Sequence, residues 1–533
     1  MFPENKISNW YKSLPNNNKL AFFSTIVIGF ICHGFMMANK WLNLDDIVQL
    51  VDTMNRTTSG RWFLMFPSAI GSEFSLPWLN GFLTIFYSAV MASVIVSMFD
   101  IKSKINSILI GGILVTFPTI GSLMPFMNTQ DSYQFGAMLT GIGAYLLVKK
   151  EKGYLYSMVL FTLSLAIYQA YLGYAAGLIL VYFLIDLFKK EKTTREIFNN
   201  FLKMMISFLG AIVIYLLVSR GIFGKYLVDY KGLDTMGSIP LKELPVAIFS
   251  TYKYMFLFFT GQEFNYHWSF MPYVFVISFI LLIYLIIYLG KKSKLDKDRM
   301  IFVAFILIIL PPAINVIYIM SWQAGVMLRM AYAYTVCFMM PLILIDYIYK
   351  INANGNHEIQ TNEVYQNTVG KKLNLLQLSV WFLVVVSFLS VYNNIYVTNK
   401  AYFKVWNTNK SSHAYANRIS MRIEMVDGYT TDTKVVMLGN PDSRTDFTKL
   451  IDTRDTEPFI IANHLTRLYS FKYYPERFLG LDNPISDVDE ITDKLEPLRS
   501  TIEEMPLYPA KDSIQMIDGT IYIKFKDIKW KRL

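Results

Sequence analysis

Residues 39–62, N-K-W-L-N-L-D-D-I-V-Q-L-V-D-T-M-N-R-T-T-S-G-R-W, decide how the rest of the chain is read. They follow an apolar run at 20–38 and precede another near 79–98. A helix crossing the hydrocarbon core needs about 20 predominantly apolar residues, and both runs meet that length. The stretch between them is then an aqueous loop, 39–78, at a membrane boundary. It carries two adjacent carboxylates, Asp45 and Asp46, and an Arg61-Trp62 pair.

Composition agrees. Of 533 residues, 53% are hydrophobic, and mean hydropathy is +0.34. Soluble domains use roughly 45–50% apolar residues even with Gly counted. The charged 17% cluster between apolar runs, and the net charge of +10 fits basic cytoplasmic loops rather than nucleic-acid binding. Cys32 and Cys337 both fall inside apolar runs, which argues against a disulfide framework and against Cys-based metal ligation. The first apolar run is too long for a signal-peptide core and lacks a small-x-small cleavage site, so it is expected to remain as a span.

Outward from the first loop, basic turns alternate with apolar runs. Lys6, Lys12 and Lys19 place the N-terminus inside. Lys102 and Lys104, Lys149 to Lys152, Lys189 to Arg195, and Lys291 to Arg299 mark inner turns. Between them, runs near 105–126, 132–148, 154–167, 169–188, 201–218, 271–289, 300–320, 330–349 and 373–391 read as spans. The short outer turns near Gln130 and Ile167 carry no Lys or Arg. The expectation is an α-helical polytopic membrane protein with about eleven crossings, N-terminus inside. Gly111-Gly112 and Pro118 predict a kinked third span lining a cavity. The apolar stretch 246–260 is short and reads as interfacial or re-entrant.

After Val391 the composition turns polar. Residues 1–391 are expected to form the transmembrane domain and 392–533 a small α/β domain outside the membrane. Residues 415–425 read as an amphipathic helix and 434–438 as a strand. Residues 513–517 and 520–525 flank Asp518-Gly519, a hairpin signal.

An acid pair beside a bilayer is where a polytopic protein would place chemistry on a lipid-linked substrate. One carboxylate can take the proton of an attacking hydroxyl, and a second can orient the acceptor or hold a metal. Equally, Asn43 or Asp45 could simply cap a short helix. A guanidinium suits a phosphate because it binds two oxygens at fixed geometry, which makes Arg61 and Arg329 the phosphate candidates. Either could instead be an interfacial cation. Trp62, Gln130, Asp131, Tyr133, Gln169, Tyr171, Glu263 and His267 sit at outer mouths of spans and are the candidate sugar or acceptor contacts. Helix capping and an aromatic belt are the plainer alternatives. No His pair stands at ligand spacing, so no cofactor is firmly implied and a divalent metal has no support. Walker A, dinucleotide and nucleophile-elbow motifs are absent.

The acidic first outer loop resembles that of the GT-C membrane glycosyltransferases. N-L-D-D at 43–46, S-G-R-W at 59–62 and Q-D-S-Y at 130–133 resemble the bacterial Gtr-type glucosyltransferases that decorate O-antigen. The segment 414–439 looks like the start of their outer C-terminal domain. The resemblance implies an inverting hexosyltransferase of the bacterial cytoplasmic (inner) membrane. It would move glucose or another hexose from a polyprenyl-phosphate donor to an envelope glycan such as O-antigen (the polysaccharide of lipopolysaccharide) or teichoic acid. The first-loop base carries over onto Asp45 or Asp46. The rival reading is a transporter or flippase of lipid-linked glycans, whose marks would be paired charges at mid-span depth and symmetry between halves. The polar groups gather at the outer face instead.

Overall fold

The computed structural model describes residues 2–41, 44–48, 59–71, 76–227, 239–264, 266–320, 326–355, 374–441, 456, 471–487 and 495–528. Asn43, one of the expected caps, lies outside them. The chain divides into two compact units, Met1–Ala38 with Asn55–Asn399 and Asn39–Met54 with Lys400–Leu533.

The first unit is helical. An N-terminal helix α1 (Pro3–Ser13) precedes α2 (Asn16–Met37). In the second unit α3 (Leu44–Val48) follows in sequence. The first unit resumes with α4 (Met65–Gly71), α5 (Pro77–Phe99), α6 (Lys104–Thr116), α7 (Pro118–Leu123) and α8 (Gln130–Lys149). It continues through α9 (Gly153–Leu165), α10 (Leu172–Lys189), α11 (Thr194–Gly221) and α12 (Leu244–Phe259). Helices α13 (Met271–Lys292), α14 (Lys297–Ile314), α15 (Val316–Met320) and α16 (Thr335–Gly355) follow.

Eight helical segments among the described residues are long and apolar enough to cross a bilayer, so this is a membrane protein with multiple apolar helices. They coincide with eight of the eleven expected runs. The other three expected runs are also helical, as α8, α9 and α14. Helix α9 has 13 residues, short of a full crossing, and α14 carries Lys297, Asp298 and Arg299 at its start. The segment Gln169–Lys189 is 94% buried and Met271–Lys292 only 22%. The former is thus the core of the bundle, while the latter turns an apolar face outward, as a lipid-facing helix does.

The kink expected at Gly111-Gly112 and Pro118 falls at Pro118 alone. Pro118 starts α7 after Phe117 leaves helical geometry (φ −54°, ψ 136°), as the residue before a proline tends to do. The glycines instead stay helical and allow close approach. A Cβ on Gly112 would lie 3.2 Å from Val391, and one on Gly111 would strike the Thr25 hydroxyl. Buried Asp346 fixes the turn before α6 by accepting from the Lys102 and Ser103 amides at 3.0 and 2.8 Å.

The change of composition at Val391 is not a break in the backbone. A 50-residue helix, α17 (Leu375–Glu424), runs through it, and the boundary between units falls inside this helix at Asn399. The expected helix at 415–425 is its last part. The second unit then builds a four-stranded sheet from β1 (Lys434–Leu438), β2 (Ile485–Asp487), β3 (Ile514–Ile517) and β4 (Thr520–Lys524), in the order β2-β1-β4-β3. Strand β1 is parallel to both neighbours, with Val435 opposite Ile521 and Met437 opposite Ile523. One face buries Val435, Met437, Ile521 and Ile523 against Ile419 and Phe471. The other buries Val436, Leu438 and Tyr522 against Leu495 and Ile502. Burial on both faces is why K-V-V-M-L reads as continuous rather than alternating. Asp518 and Gly519 take positive φ, 47° and 73°, the turn geometry that matches strand twist in a two-residue hairpin.

Candidate functional site

The first unit brings together residues from three distant stretches. Gly60 has φ +73°, and a Cβ there would sit 2.8 Å from the Tyr215 hydroxyl. Both facts require glycine and set the direction of the next residue, Arg61. The Phe63 amide then donates to the Ala166 carbonyl at 3.1 Å. Helix α4 lies against α8, with the Ser68 and Ser132 hydroxyls 3.0 Å apart. Arg61 Nη1 donates to the Tyr133 hydroxyl at 2.9 Å. Its guanidinium carbon lies 5.7 Å from the Tyr133 ring centre and 5.4 Å from that of Tyr168, within cation–π range.

Arg329 follows Leu328 in a single turn of 3-10 helix, with its guanidinium 5.1 Å from the Phe126 ring centre. Burial holds the Tyr168 phenol well above its ordinary pKa, and the charges of Arg329 and then Arg61 oppose that rise without reversing it. The charges of both arginines therefore reach one buried phenol, although about half of the chain separates them. Tyr168 packs on Tyr133 at 4.9 Å and on Tyr171 at 5.4 Å between ring centres.

The other expected contacts divide. Gln169 donates from Nε2 to the Tyr215 hydroxyl at 2.8 Å, so its buried amide finds a partner inside the fold. Tyr171 continues the row of rings to Tyr332, 6.1 Å away. Trp62 stacks on Phe223 with planes 6° apart. Gln130, with its amide turned to suit its neighbours, donates to the Met124 carbonyl at 2.9 Å and accepts from the Gly81 amide at 3.3 Å. Its side chain is thus occupied by backbone. Asp131 is in the first turn of α8 and buried, but the N-cap is Thr129. Its carboxylate fills the space where Gly71 lacks a Cβ.

Glu263 and His267 belong to a second aromatic cluster. His267 packs against Phe258 and Phe275, with ring centres 5.8 and 5.0 Å away. Burial pulls its pKa down to about 3. Glu263 is raised by burial, against the pull of its hydrogen bond with Tyr318. The clusters are linked ring to ring through Phe117, 6.3 Å from both Tyr332 and Phe258.

Asp45 and Asp46 are on α3, in the second unit. Ile47 is fully buried in the core of that unit, and Arg477 donates to the carbonyls of Ile47 and Val48, the latter at 2.8 Å. Asp46 is fully buried beside it, whereas Asp45 is half-buried. Among the described residues, no group of three His, Cys, Asp or Glu is placed to hold a metal.

Sequence reasoning missed Tyr168 and Tyr332. Tyr168 immediately precedes two residues singled out, Gln169 and Tyr171, and its signal was its place in the turn between two apolar runs. Nothing in the linear order ties it to Arg329.

No curated protein and no solved structure matches this chain. A family model described as glucosyl transferase GtrII matches residues 34–345. That segment contains both carboxylates, both arginines and every tyrosine of the cluster. It is more than half of the 533 residues, and the chain therefore belongs to the GtrII glucosyl transferase family.

Proposed function

We propose that this transferase moves glucose, or another hexose, from a polyprenyl-phosphate donor to a cell-envelope polysaccharide such as O-antigen or teichoic acid. The observation that carries the reading is Arg61 held over the Tyr133 and Tyr168 rings within the family-matched segment, with the charge of Arg329 reaching the same Tyr168. A phosphate leaving group gains charge as the glycosidic bond breaks. Guanidinium groups already held in place by aromatic rings stabilise that charge without reorganising. Tyr133 and Tyr168 keep the Arg61 guanidinium ordered and Phe126 that of Arg329, so less side-chain entropy is lost on binding.

Inversion at the anomeric carbon needs a base for the acceptor hydroxyl. We assign that role to Asp45, which retains exposure, and a structural role to the fully buried Asp46. Burial argues against Asp46 meeting a polysaccharide. Trp62 is the proposed sugar-facing aromatic, and the fully buried Tyr171 is assigned a packing role in the row of rings. Gln130 and Gln169 support the fold around them. The enzyme is placed in the bacterial cytoplasmic membrane, N-terminus inside and the second unit outside, supported by the basic turns at Lys102, Lys149 and Lys291. The family match argues against the transporter reading.

Purified protein in detergent, mixed with polyprenyl-phosphate glucose and acceptor glycan, should form product without a sealed membrane. Absence of product with the native protein, but uptake of lipid-linked glycan in sealed vesicles, would replace this reading with transport.

A further inference from the structure

None of the eleven residues of α1 is buried. Pro3, Ile7, Trp10 and Tyr11 nevertheless fall on one face, and Ser8, Asn9 and Lys12 on the others. Ile7 and Trp10 are 64% and 63% exposed. Such a helix suits the boundary between headgroups and acyl chains.

Trp10 and Tyr11 line an open cavity of about 400 Å³, together with Phe22 and Phe23 of α2 and Val90 and Val94 of α5. That volume lies within the range of small-ligand pockets. Asn18, also at the wall, spends its amide on the Ser93 carbonyl at 3.0 Å. Lys19 is the charged residue of the lining. Its ammonium lies 4.7 Å from the Tyr11 ring centre and 3.5 Å from the Lys12 carbonyl. One ring and one carbonyl leave a three-donor ammonium with capacity for an anion. The cavity adjoins the outward apolar surface of α2 and α5, where Phe23 is 51% exposed and Phe86 37%.

We propose that this cavity holds one acyl chain of an anionic phospholipid, with the lipid phosphate at Lys19. The apolar walls accept the chain. The positive charge of Lys19, reinforced by Lys6 and Lys12 on α1, selects an acidic headgroup over a zwitterionic one. The occupant is a bulk membrane lipid and not the sugar donor. The inference is independent of glycosyl transfer.

The full chain, purified in detergent, should retain one phosphatidylglycerol in native mass spectrometry, at least about fivefold over phosphatidylcholine of the same chains. Lys19→Gln should abolish that preference, and Val94→Trp should expel the lipid by filling the cavity. Phosphatidylglycerol brominated on its acyl chains should quench the fluorescence that Trp10→Phe removes. Equal retention of the two lipids, retention unchanged in Lys19→Gln, or an unquenched Trp10 would each overturn the proposal. Displacement of phosphatidylglycerol by equimolar polyprenyl phosphate would overturn the assignment to bulk lipid. Should Val94→Trp not fold, Lys19→Gln and the quenching still decide the matter.

Discussion

Arg61 and Asp46 stand in one short loop of sequence, yet they are held in different ways. Arg61 takes its partners from Tyr133 and Tyr168 in the helical unit. Asp46 precedes Ile47, which is packed with Ile419, Phe471 and Ile521 in the sheet-bearing unit. Side chains hold the first in an aromatic frame. A hydrophobic core fixes the second. The comparison teaches that nearness along a loop says little about shared surroundings. Each residue is placed by long-range packing.

Five outcomes would break or sharpen this contrast. Asp45→Asn should reduce transfer most, by roughly 10²–10⁴-fold if it removes a general base, while Asp46→Asn should lower Tm more than it lowers kcat. A reversed result, with Asp46→Asn inactive and fully folded, would exchange the two assignments. Arg61→Ala and Arg329→Ala should each lower kcat/KM for the donor about 10²–10³-fold, as loss of a preorganised charge partner does. Arg61→Lys should recover only part of this, because an ammonium lacks the two-pronged geometry. Chemical denaturation of Ile47→Ala should show the sheet-bearing unit weakened by about 2–5 kcal/mol. Unchanged stability would remove α3 from that core.

Smaller effects follow from the rings. Tyr168→Phe keeps the packing and removes the hydroxyl that the charges of both arginines reach, and should lower kcat/KM about tenfold. Because burial holds the phenol above its ordinary range, no limb from Tyr168 should enter the pH–rate profile of the native protein below pH ~10. His267 has the smallest expected effect. Its folded pKa is lowered to about 3, so the unfolded chain binds a proton the folded one excludes. That part of stability is complete above pH ~6.5 and is lost as pH falls toward the folded value. His267→Asn should flatten the fall of Tm below pH ~6.5. An identical slope in the variant would show that His267 does not contribute it.

Much of the architecture was legible because it rests on local patterning. The apolar runs, the basic turns, strand β1 and the Asp518-Gly519 hairpin follow from composition over a few residues. What was not legible depends on distant partners. Polar residues after Val391 suggested a boundary, but α17 continues because its apolar contacts persist beyond that point, with Val397, Ala401 and Val405 buried. Gly111 looked like a helix breaker until the approach of Thr25 gave it a packing role. Gln130 read as a sugar contact, yet its amide is occupied by Met124 and Gly81. Arg61 and Arg329 were selected for their chemistry, but the tyrosine they share became visible only in three dimensions.

The central claim is that Arg61 and Arg329 together hold the donor phosphate, and direct binding tests it best. Polyprenyl phosphate should be titrated into purified native protein, Arg61→Ala, Arg329→Ala and the double variant. Each single variant should bind at least about tenfold more weakly, and the double variant should lose less than the product of the two losses, as groups sharing one ligand do. Native affinity in both single variants would contradict the claim.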